Sequence, residues 1–156
     1  MLTDLESRVV DDDHQALKLW LRLLSCTARV EAQIRSRLRS EFDTTLPRFD
    51  LLAQLERNPD GLAMRELSQR LMVTGGNITG ITDQLEIDGL VVRSQHPTDR
   101  RSFTVKLTAA GRRQFKKMAV THEQWVIELL SGWSAAEKAQ IHGLLAILRN
   151  HQKEQS

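Results

Sequence analysis

The chain has 156 residues, a formal net charge of +2 and 40% apolar residues. This length suits one domain, or one compact domain with an appended helical element, and the apolar fraction is enough for a core. No run of about 18 apolar residues is present, which argues against a membrane span, and the acidic start lacks the features of a secretion signal. A single cysteine, Cys26, excludes an internal disulfide, so we expect a cytoplasmic protein.

A basic segment stands out from this balanced composition. Residues 93–117 hold eight arginine or lysine residues against one acid, whereas residues 1–13 hold five acids against one arginine. Such a block is typical of a surface that binds a polyanion. It also suits a solvated helix face, and charge alone leaves both interpretations open. The absence of tyrosine and an aromatic content of 4% argue against a protein that stacks single-stranded bases.

Three helices are predicted in the first half of the chain. Apolar residues at i, i+3 and i+4 spacing predict one long helix over about residues 14–41, and its second half is rich in arginine. A second helix has Pro47 in its first turn and Thr44 or Thr45 as its N-cap, and the turn sequence NPDG ends it. The segment AMRELSQRLM predicts a short third helix with a poor N-cap.

A fourth helix is predicted over residues 74–88, with Ile78, Ile81 and Leu85 as its buried stripe. The β-branched runs LVVRSQ and SFTVKL stand on either side of HPTD and predict a hairpin. Thr108 suits the N-cap of a long helix over about 109–130, and the capping box SAAE predicts the start of a last helix.

The predicted order α-α-α-α-β-β-α-α indicates a mainly α fold with a small β-wing. Two short helices joined by a tight turn and followed by a hairpin form a winged helix-turn-helix. We expect residues 44–111 to form this DNA-binding lobe. The flanking helical regions, 14–41 and 112–152, are too apolar on one face to stand alone, so we expect a second copy of the chain to cover them.

Glycines mark the predicted fourth helix, although each costs about 1 kcal/mol relative to alanine inside a helix. In a recognition helix they let the backbone approach DNA, and they open N–H groups at the positive helix end to phosphate. Amide side chains suit base edges, and Thr79 and Thr82 suit phosphate or thymine methyl groups. The alternative is a strip of small residues that packs against another helix. The predicted contacts on this helix are Thr74, Gly75, Gly76, Asn77, Thr79, Gly80, Asp83 and Gln84.

The loop PTDRRS between the two predicted strands suits the tip of a DNA-binding wing. Arginine is the preferred residue in a narrow minor groove, so we expect Arg100 and Arg101 to reach it. Asp99 suits a bidentate pair that orients one of these arginines and leaves the other to insert. The alternative is an ordinary surface turn with a salt bridge.

Two stretches of the sequence carry a family resemblance. DRRSFTVKLTAAG matches the wing signature D-x-R-x-x-x-x-x-L-T-x-x-G, with Asp99, Arg101, Leu107, Thr108 and Gly111 in register. LSQRLMVTGGNITGITDQLEIDGLV resembles a helix-turn-helix in which L-x-x-x-L precedes and L-E-x-x-G-L follows the recognition helix. Over nearly its whole length the chain thereby resembles the MarR family (multiple antibiotic resistance regulators).

The resemblance implies a homodimer that binds double-stranded, pseudo-palindromic DNA through two lobes and is usually released by a ligand. It also implies that Arg101, rather than Arg100, is the minor-groove residue. The chain departs from relatives that often carry Ser, Thr, Pro or Arg at the positions of Gly75, Gly76 and Gly80. We therefore expect base reading to fall to the wing and to Asn77, Asp83 and Gln84.

An effector pocket between the dimerisation helices and the lobe is a further implication of the resemblance. The recognition segment is similar to that of MarR members near aromatic-acid catabolic genes, which implies an aromatic acyl-CoA thioester or, second, a free aromatic carboxylate. Arg22 and Arg29 lie two turns apart on one face with few acids nearby, which suits such an anion. For each apolar candidate taken alone, ordinary core packing is the favoured alternative. The candidate effector residues are Trp20, Arg22, Arg29, Phe42, Phe49, His122 and Trp125.

Other chemistries have weaker support in the sequence. Cys26 lies near Arg22 and Arg29, which is compatible with a redox-responsive repressor of the same fold, although a mid-helix thiol is more often a packing residue. The five histidines are scattered without metal-ligand spacing, so we predict no metal or other cofactor. The only Gly-Gly opens a helix rather than following a strand, and no nucleophile elbow is present, so we predict no enzymatic activity.

Overall fold

The computed structural model describes residues 14–71, 75–95, 98–99 and 101–156, which form six helices and three short strands. This architecture confirms the predicted mainly α fold with a small β-wing. The helices are α1 (Gln15–Phe42), α2 (Leu46–Glu56), α3 (Met64–Arg70), α4 (Gly75–Ile87), α5 (Ala109–Leu129) and α6 (Ala135–Glu154). The strands are β1 (Leu62–Ala63), β2 (Val91–Gln95) and β3 (Phe103–Leu107).

The three strands form an antiparallel sheet in the order β1-β3-β2. Val105 in the central strand is fully buried and lies opposite Leu62 on one side and Arg93 on the other. Strand β1 was missing from the sequence prediction, because two residues are too few to show a period-2 pattern. It connects the segment between α2 and α3 to the hairpin, so the first half of the winged lobe is hydrogen-bonded to the second.

The helix ends follow the predicted capping chemistry. The Thr45 hydroxyl accepts a hydrogen bond from the Arg48 backbone N–H, and Ser134 and Glu137 form a reciprocal capping box. At the start of α3, Ala63 has no side-chain acceptor, and the Glu66 carboxylate instead accepts from the Ala63 backbone N–H at 3.3 Å. This half of a capping box is what fixes the start of a helix that has a poor N-cap.

The end of α4, the start of β2 and the start of α5 are joined by Thr108 and Gly111. The Thr108 hydroxyl donates to the carbonyl of Gly89 at 2.7 Å and accepts from the Gly111 N–H at 2.9 Å. The Thr108 N–H donates to the carbonyl of Leu90 at 3.1 Å. Gly89 itself has φ +75°, a left-handed conformation that favours glycine after a helix. These bonds give the L-T-x-x-G part of the wing signature a structural role.

The chain divides into two compact units, one ending at Thr121 and the other running from His122 to Ser156. The first unit includes α1 together with the winged lobe. Its fully buried side chains come from α1 to α5 and two strands: Leu38, Leu51, Leu52, Leu55, Leu67, Ile78, Thr82, Leu85, Val91, Val105 and Met118.

In the second unit, α6 leaves an apolar stripe in contact with solvent. Leu144, Leu145, Ile147 and Leu148 are each 43–68% exposed in the single chain. A stripe of this size on a helix of twenty residues is typical of a surface that another chain covers. Among the described residues, none of the helices is both long enough and apolar enough to pass through a membrane.

Candidate nucleic-acid interface

Helix α4 has one buried face and one polar face. Ile78 and Leu85 are buried, as predicted, and Ile81 is half-buried. Asn77, Thr79, Gly80 and Gln84 are exposed on the other side. Gly75 and Gly76 lie in the first turn of the helix, and the predicted cap Thr74 is outside the described residues. Among the described residues, an added methyl group at Gly80 would meet no atom within 4 Å beyond its own stretch of helix, so this part of the face is open.

Thr82 does not have the DNA-facing position that the sequence suggested. Its side chain is completely buried, and its hydroxyl donates to the carbonyl of Ile78 at 2.7 Å. Position 82 is four residues after Ile78 and three before Leu85, so it shares the inward face of the helix with both. Because its polar group is satisfied inside the helix, Thr82 is a core residue and the prediction of a phosphate or methyl contact was wrong.

Arg93 on β2 holds the outer side of α4. Its guanidinium donates to the carboxylate of Asp83, and its backbone N–H donates to Glu86 at 3.0 Å. The hydrogen bond to Asp83 raises the pKa of Arg93, with further favourable charge interactions from Asp83 and Glu86. Asp83 therefore already has a partner in the wing strand, and one of the eight basic groups of residues 93–117 is balanced within the chain.

Arg48 on α2 holds the C-terminal half of α4. Its Nη1 donates to the side-chain oxygen of Gln84 at 3.1 Å, and its Nη2 donates to the carboxylate of Asp88 at 2.5 Å. Gln84 is exposed, and its side-chain oxygen is the atom that Arg48 occupies. The sequence analysis did not single out Arg48 or Arg93. Arg93 could have been noticed from the sequence, because it lies two residues after Val91 and therefore on the same, inward face of β2.

The wing turn is shaped by a backbone contact. The Asp99 carboxylate accepts a hydrogen bond from the backbone N–H of Arg101 at 3.0 Å, and the Ser102 N–H donates to the Asp99 carbonyl. With Arg101, Asp99 therefore makes an Asx-type turn instead of the predicted bidentate pair with a guanidinium. Arg101 is exposed at this turn, and Arg100 lies outside the described residues.

The exposed positive charge continues from the wing turn along β3 and the first turns of α5. Lys106, Arg113, Lys116 and Lys117 are all exposed. The exposed polar face of α4, the wing turn and this basic stretch belong to the same compact unit. Their combination favours the polyanion-binding interpretation of the basic segment over that of a merely solvated helix face.

Comparison with known proteins identifies a family with this arrangement. The model of the MarR family matches residues 42–102, which include α2 to α4, β2 and the wing turn. The solved structure of a MarR family transcriptional regulator from Silicibacter pomeroyi is 33% identical, with a TM-score of 0.75 over 95% of this chain and 100% of that one. The chain belongs to the MarR family.

Two further similarities cover the same region. The uncharacterized HTH-type transcriptional regulator YkoM of Bacillus subtilis (strain 168) is 34% identical over 82 residues, which are 53% of each protein. The matches to the first curated relatives span 53–60% of their length. A mutant MarR from E. coli complexed with operator DNA has a TM-score of 0.75 at 24% identity, over 89% of this chain and 99% of that one, which shows the same fold. These MarR relatives are regulators of transcription, in agreement with the prediction of a protein that is not an enzyme.

The candidate effector residues of this MarR family chain are spread along the molecule. Trp20, Arg22 and Arg29 are exposed on α1, and Phe42 is half-buried at its end. Trp20 and Phe42 are 22 positions apart in the continuous helix α1. At a rise of about 1.5 Å per residue, this separation is about 33 Å. One small pocket therefore cannot include all four residues.

Three of the aromatic candidates pack in two separate pairs of rings. Phe49 is buried and packs against Phe115, with ring centroids 5.4 Å apart. His122 and Trp125 lie in the second unit, edge to face with centroids 6.4 Å apart, and burial lowers the pKa of His122. This geometry within each pair suits core packing, which was the alternative left open for the apolar candidates.

The arginines of α1 have more acidic partners than the sequence analysis assumed. Arg35 pairs with Glu31 at 3.1 Å, and Arg39 pairs with Asp43 at 3.4 Å, both at i, i+4 spacing. Asp50 lies near the first pair. Burial raises the pKa of Asp50, with Glu31 adding to the effect and Arg35 opposing it. At least two arginines of α1, Arg35 and Arg39, are therefore balanced by an acid one helical turn away.

Cys26 is an exposed free thiol on α1 rather than the packing residue that its mid-helix position suggested. Position 26 falls on the outward side of a helix whose buried residues are Leu21, Ile34 and Leu38. Exposure alone does not distinguish a redox function from an ordinary surface thiol.

Proposed function

We propose that this chain forms a homodimer that binds double-stranded, pseudo-palindromic DNA and represses transcription until a small effector releases it. The observation that carries the proposal is the exposed face of α4 with an open backbone at Gly80, in one compact unit with the exposed Arg101. The fold shared with a mutant E. coli MarR complexed with operator DNA supports the same assignment. We also propose a cytoplasmic location, which accords with DNA binding and with the free thiol of Cys26.

We assign residues 44–111 to the DNA-binding lobe and the helical regions 14–41 and 112–152 to dimerisation. The exposed apolar stripe of α6 supports this division, because a second copy would remove it from water. A two-fold dimer presents two copies of α4, so the half-sites should lie about one helical turn of DNA apart.

The contacts divide by groove. The start and outward face of α4 enter the major groove, where Thr74, Gly75, Gly76 and Gly80 admit phosphate to the backbone and Asn77 and Thr79 meet base edges. Asp83 and Gln84 contribute through the side-chain atoms that are not bonded to Arg93 and Arg48. At the wing, Asp99 shapes the turn while Arg101, with Arg100 beside it in sequence, reaches the minor groove.

Selection from a randomised duplex library tests DNA binding without knowledge of the operator. The purified chain should enrich an inverted-repeat sequence, and its affinity should fall steeply as salt rises, because several phosphate contacts release counterions. The mass of the complex should correspond to two chains per duplex. Failure to enrich any sequence at low ionic strength would refute the proposal.

Replacement of Arg101 by alanine should weaken binding to the enriched duplex by about 1–3 kcal/mol, because one groove contact is lost. Fluorescence anisotropy of a labelled duplex measures the change. Arg149→Ala provides the matched control, since Arg149 is exposed on α6, away from the wing in sequence. Equal affinity of Arg101→Ala and the unmodified protein would remove the wing from the interface.

The finer part of the proposal is the effector, an aromatic acyl-CoA thioester or an aromatic carboxylate. It rests on the resemblance of the recognition segment to MarR members near aromatic-acid genes. The exposed Arg22 and Arg29 on α1 support it, because clustered guanidinium groups suit the phosphates of coenzyme A.

Arg22→Ala and Arg29→Ala should each leave binding to the enriched duplex nearly unchanged while raising the benzoyl-CoA concentration needed for release about tenfold. Titration of the labelled complex with benzoyl-CoA measures both quantities. Arg57→Ala is the control, since Arg57 is an exposed arginine at the end of α2. If benzoyl-CoA releases the two variants and the control equally, the arginines of α1 only contribute solubility.

A further inference from the structure

Arg48 in α2 bonds to two residues at the C-terminal end of α4. Its Nη1 donates to the side-chain oxygen of Gln84 at 3.1 Å, and its Nη2 donates to the carboxylate of Asp88 at 2.5 Å. The side chain of Arg48 is mostly buried, with 19% of its surface exposed. The two bonds join residues that are 36 and 40 positions apart in the sequence, and they restrain both partner groups.

The bond from Arg48 determines which way the amide of Gln84 is turned. A guanidinium has five donors and no acceptor, so the atom of Gln84 that it contacts has to be the oxygen. The group that remains for another partner is the NH2 of the amide, which only donates. A base that donates to the oxygen would have to share it with a charged donor, whereas an unrestrained amide could turn either group towards a base.

Gln84 lies on the face of α4 that the proposed function assigns to the major groove. It is exposed, four residues after Gly80 and seven after Asn77, so the three positions form one strip along the helix. Helical side chains lean towards the N-terminus of their helix, so the residue beneath Gln84 on this strip is Gly80. Gly80 has no side chain that could cover the amide, and DNA can therefore approach it.

We propose that Arg48 is a specificity-determining positioning residue which, by holding the oxygen of Gln84, makes Gln84 select guanine in the major groove. The inference rests on the proposed function and names the base that one side chain of α4 recognises. Guanine presents two acceptors, N7 and O6, whereas adenine and thymine present one each and cytosine presents only a donor. Glutamine pairs with adenine through both its oxygen and its nitrogen, and in this chain the oxygen is already bonded to a cation.

The surroundings of Arg48 indicate that the fold tolerates the loss of its guanidinium. The Nε of Arg48 is buried and, among the described residues, has no hydrogen-bond partner. An unsatisfied buried donor is unfavourable, and methionine avoids it while it resembles the apolar stem of arginine. The side chain of Asp88 is 48% exposed, so water can solvate its carboxylate when Arg48 is absent. Arg48→Met is therefore the central variant, and we expect it to fold.

Spectroscopy of the free protein tests the contact between Arg48 and Gln84 without DNA. In a ¹H–¹⁵N spectrum, Arg48→Met should shift the side-chain NH2 signals of Gln84, which are assigned by their absence in Gln84→Ala. Arg57→Met is the control and should leave these signals in place, since Arg57 is an exposed arginine at the end of α2. Unchanged Gln84 signals in Arg48→Met would overturn the proposal.

Selection from the randomised duplex library identifies the base pair that Gln84 recognises. At one position of each half-site, the preference of the unmodified protein should disappear in Gln84→Ala. The unmodified protein should prefer a G·C pair over an A·T pair there by about three- to tenfold. Preference for an A·T pair contradicts the proposal, whether or not an Arg48 variant folds. If Gln84→Ala selects the same base at every position, Gln84 recognises no base, and the proposal fails while DNA binding stands.

The same selection with Arg48→Met tests the role of Arg48. The preference at the Gln84 position should change to an A·T pair, because the freed amide can pair with adenine through two bonds. Asp88→Asn weakens the other bond of Arg48 and should keep the G·C pair, as should Arg57→Met. A merely structural role predicts instead that Arg48→Met lowers affinity for all duplexes equally.

The outcomes separate this inference from the proposed function. Retention of the G·C pair by Arg48→Met, with its fold verified by circular dichroism, overturns the role of Arg48 and leaves DNA binding intact. If even the unmodified protein enriches no duplex, the proposed function itself fails, and this inference fails with it.

Discussion

Replacing Gly111 by alanine should lower the free energy of unfolding by about 3 kcal/mol, within the range expected for a severe steric conflict. A Cβ atom at this position would lie 1.9 Å from the carbonyl oxygen of Leu90 and 2.8 Å from its carbonyl carbon. Both are backbone atoms, so no side-chain rotation relieves the conflict. The helix start would have to move, which breaks the hydrogen bonds that Thr108 makes to Gly89 and Gly111.

Urea unfolding followed by circular dichroism measures this loss. Gly143→Ala is the matched control, because Gly143 lies inside α6 and an added Cβ would meet no atom within 4 Å. Alanine should stabilise that helix by up to about 1 kcal/mol, so the two variants should differ in sign. A Gly111→Ala protein as stable as the unmodified chain would show that the start of α5 has room to shift.

The close approach of Gly111 to Leu90 separates the positions of the wing signature that maintain the fold from those that are candidates for DNA binding. Thr108 and Gly111 fix the junction of α4, β2 and α5 and thereby orient the wing. Asp99 likewise shapes the turn through the backbone of Arg101. Asp99 and Arg101 are both exposed, but the carboxylate of Asp99 is bonded to the backbone of Arg101, so Arg101 is the candidate DNA contact of the signature.

Local patterns predicted most of the fold, because helices and hairpins are encoded by neighbouring residues. The N-cap at Thr45, the capping box at Ser134 and the buried stripe of Ile78 and Leu85 followed directly from spacing. Strand β1 escaped prediction, since a two-residue strand is defined by its partner β3 rather than by its own sequence. The prediction for Thr82 was wrong because it relied on the polar side chain, whereas the helical spacing places Thr82 on the same buried face as Ile78 and Leu85.

The candidate site was less predictable, because its geometry depends on contacts between distant residues. Arg48 reaches Asp88 across forty positions of the chain, and no local pattern marks that pair. The buried Nε of Arg48, which has no hydrogen-bond partner among the described residues, likewise depends on tertiary packing around α2. Arginine-rich composition directed attention to α1, where much of the charge is instead balanced by i, i+4 partners.

Replacing Gly80 by leucine should stabilise the fold and abolish specific DNA binding. Leucine is a better helix former than glycine by roughly 0.5–1 kcal/mol, and the position is open, so unfolding should become harder. The added side chain projects from the face that we assign to the major groove and holds the backbone of α4 away from DNA. Affinity for the enriched duplex should therefore fall to its non-specific level, a loss of about 4 kcal/mol or more.

The opposite signs of these two effects distinguish a DNA-facing glycine from a structural one. Thermal melting measures stability and anisotropy measures affinity on the same preparation. Ala146→Leu is the control, since Ala146 is exposed on the side of α6 away from Leu144 and Leu148, and this change should leave both stability and DNA binding nearly unchanged. If Gly80→Leu binds the duplex as well as the unmodified protein, α4 does not approach DNA through this face. If it is instead destabilised, Gly80 packs against another part of the protein or its partner, which was the alternative interpretation of the glycine strip.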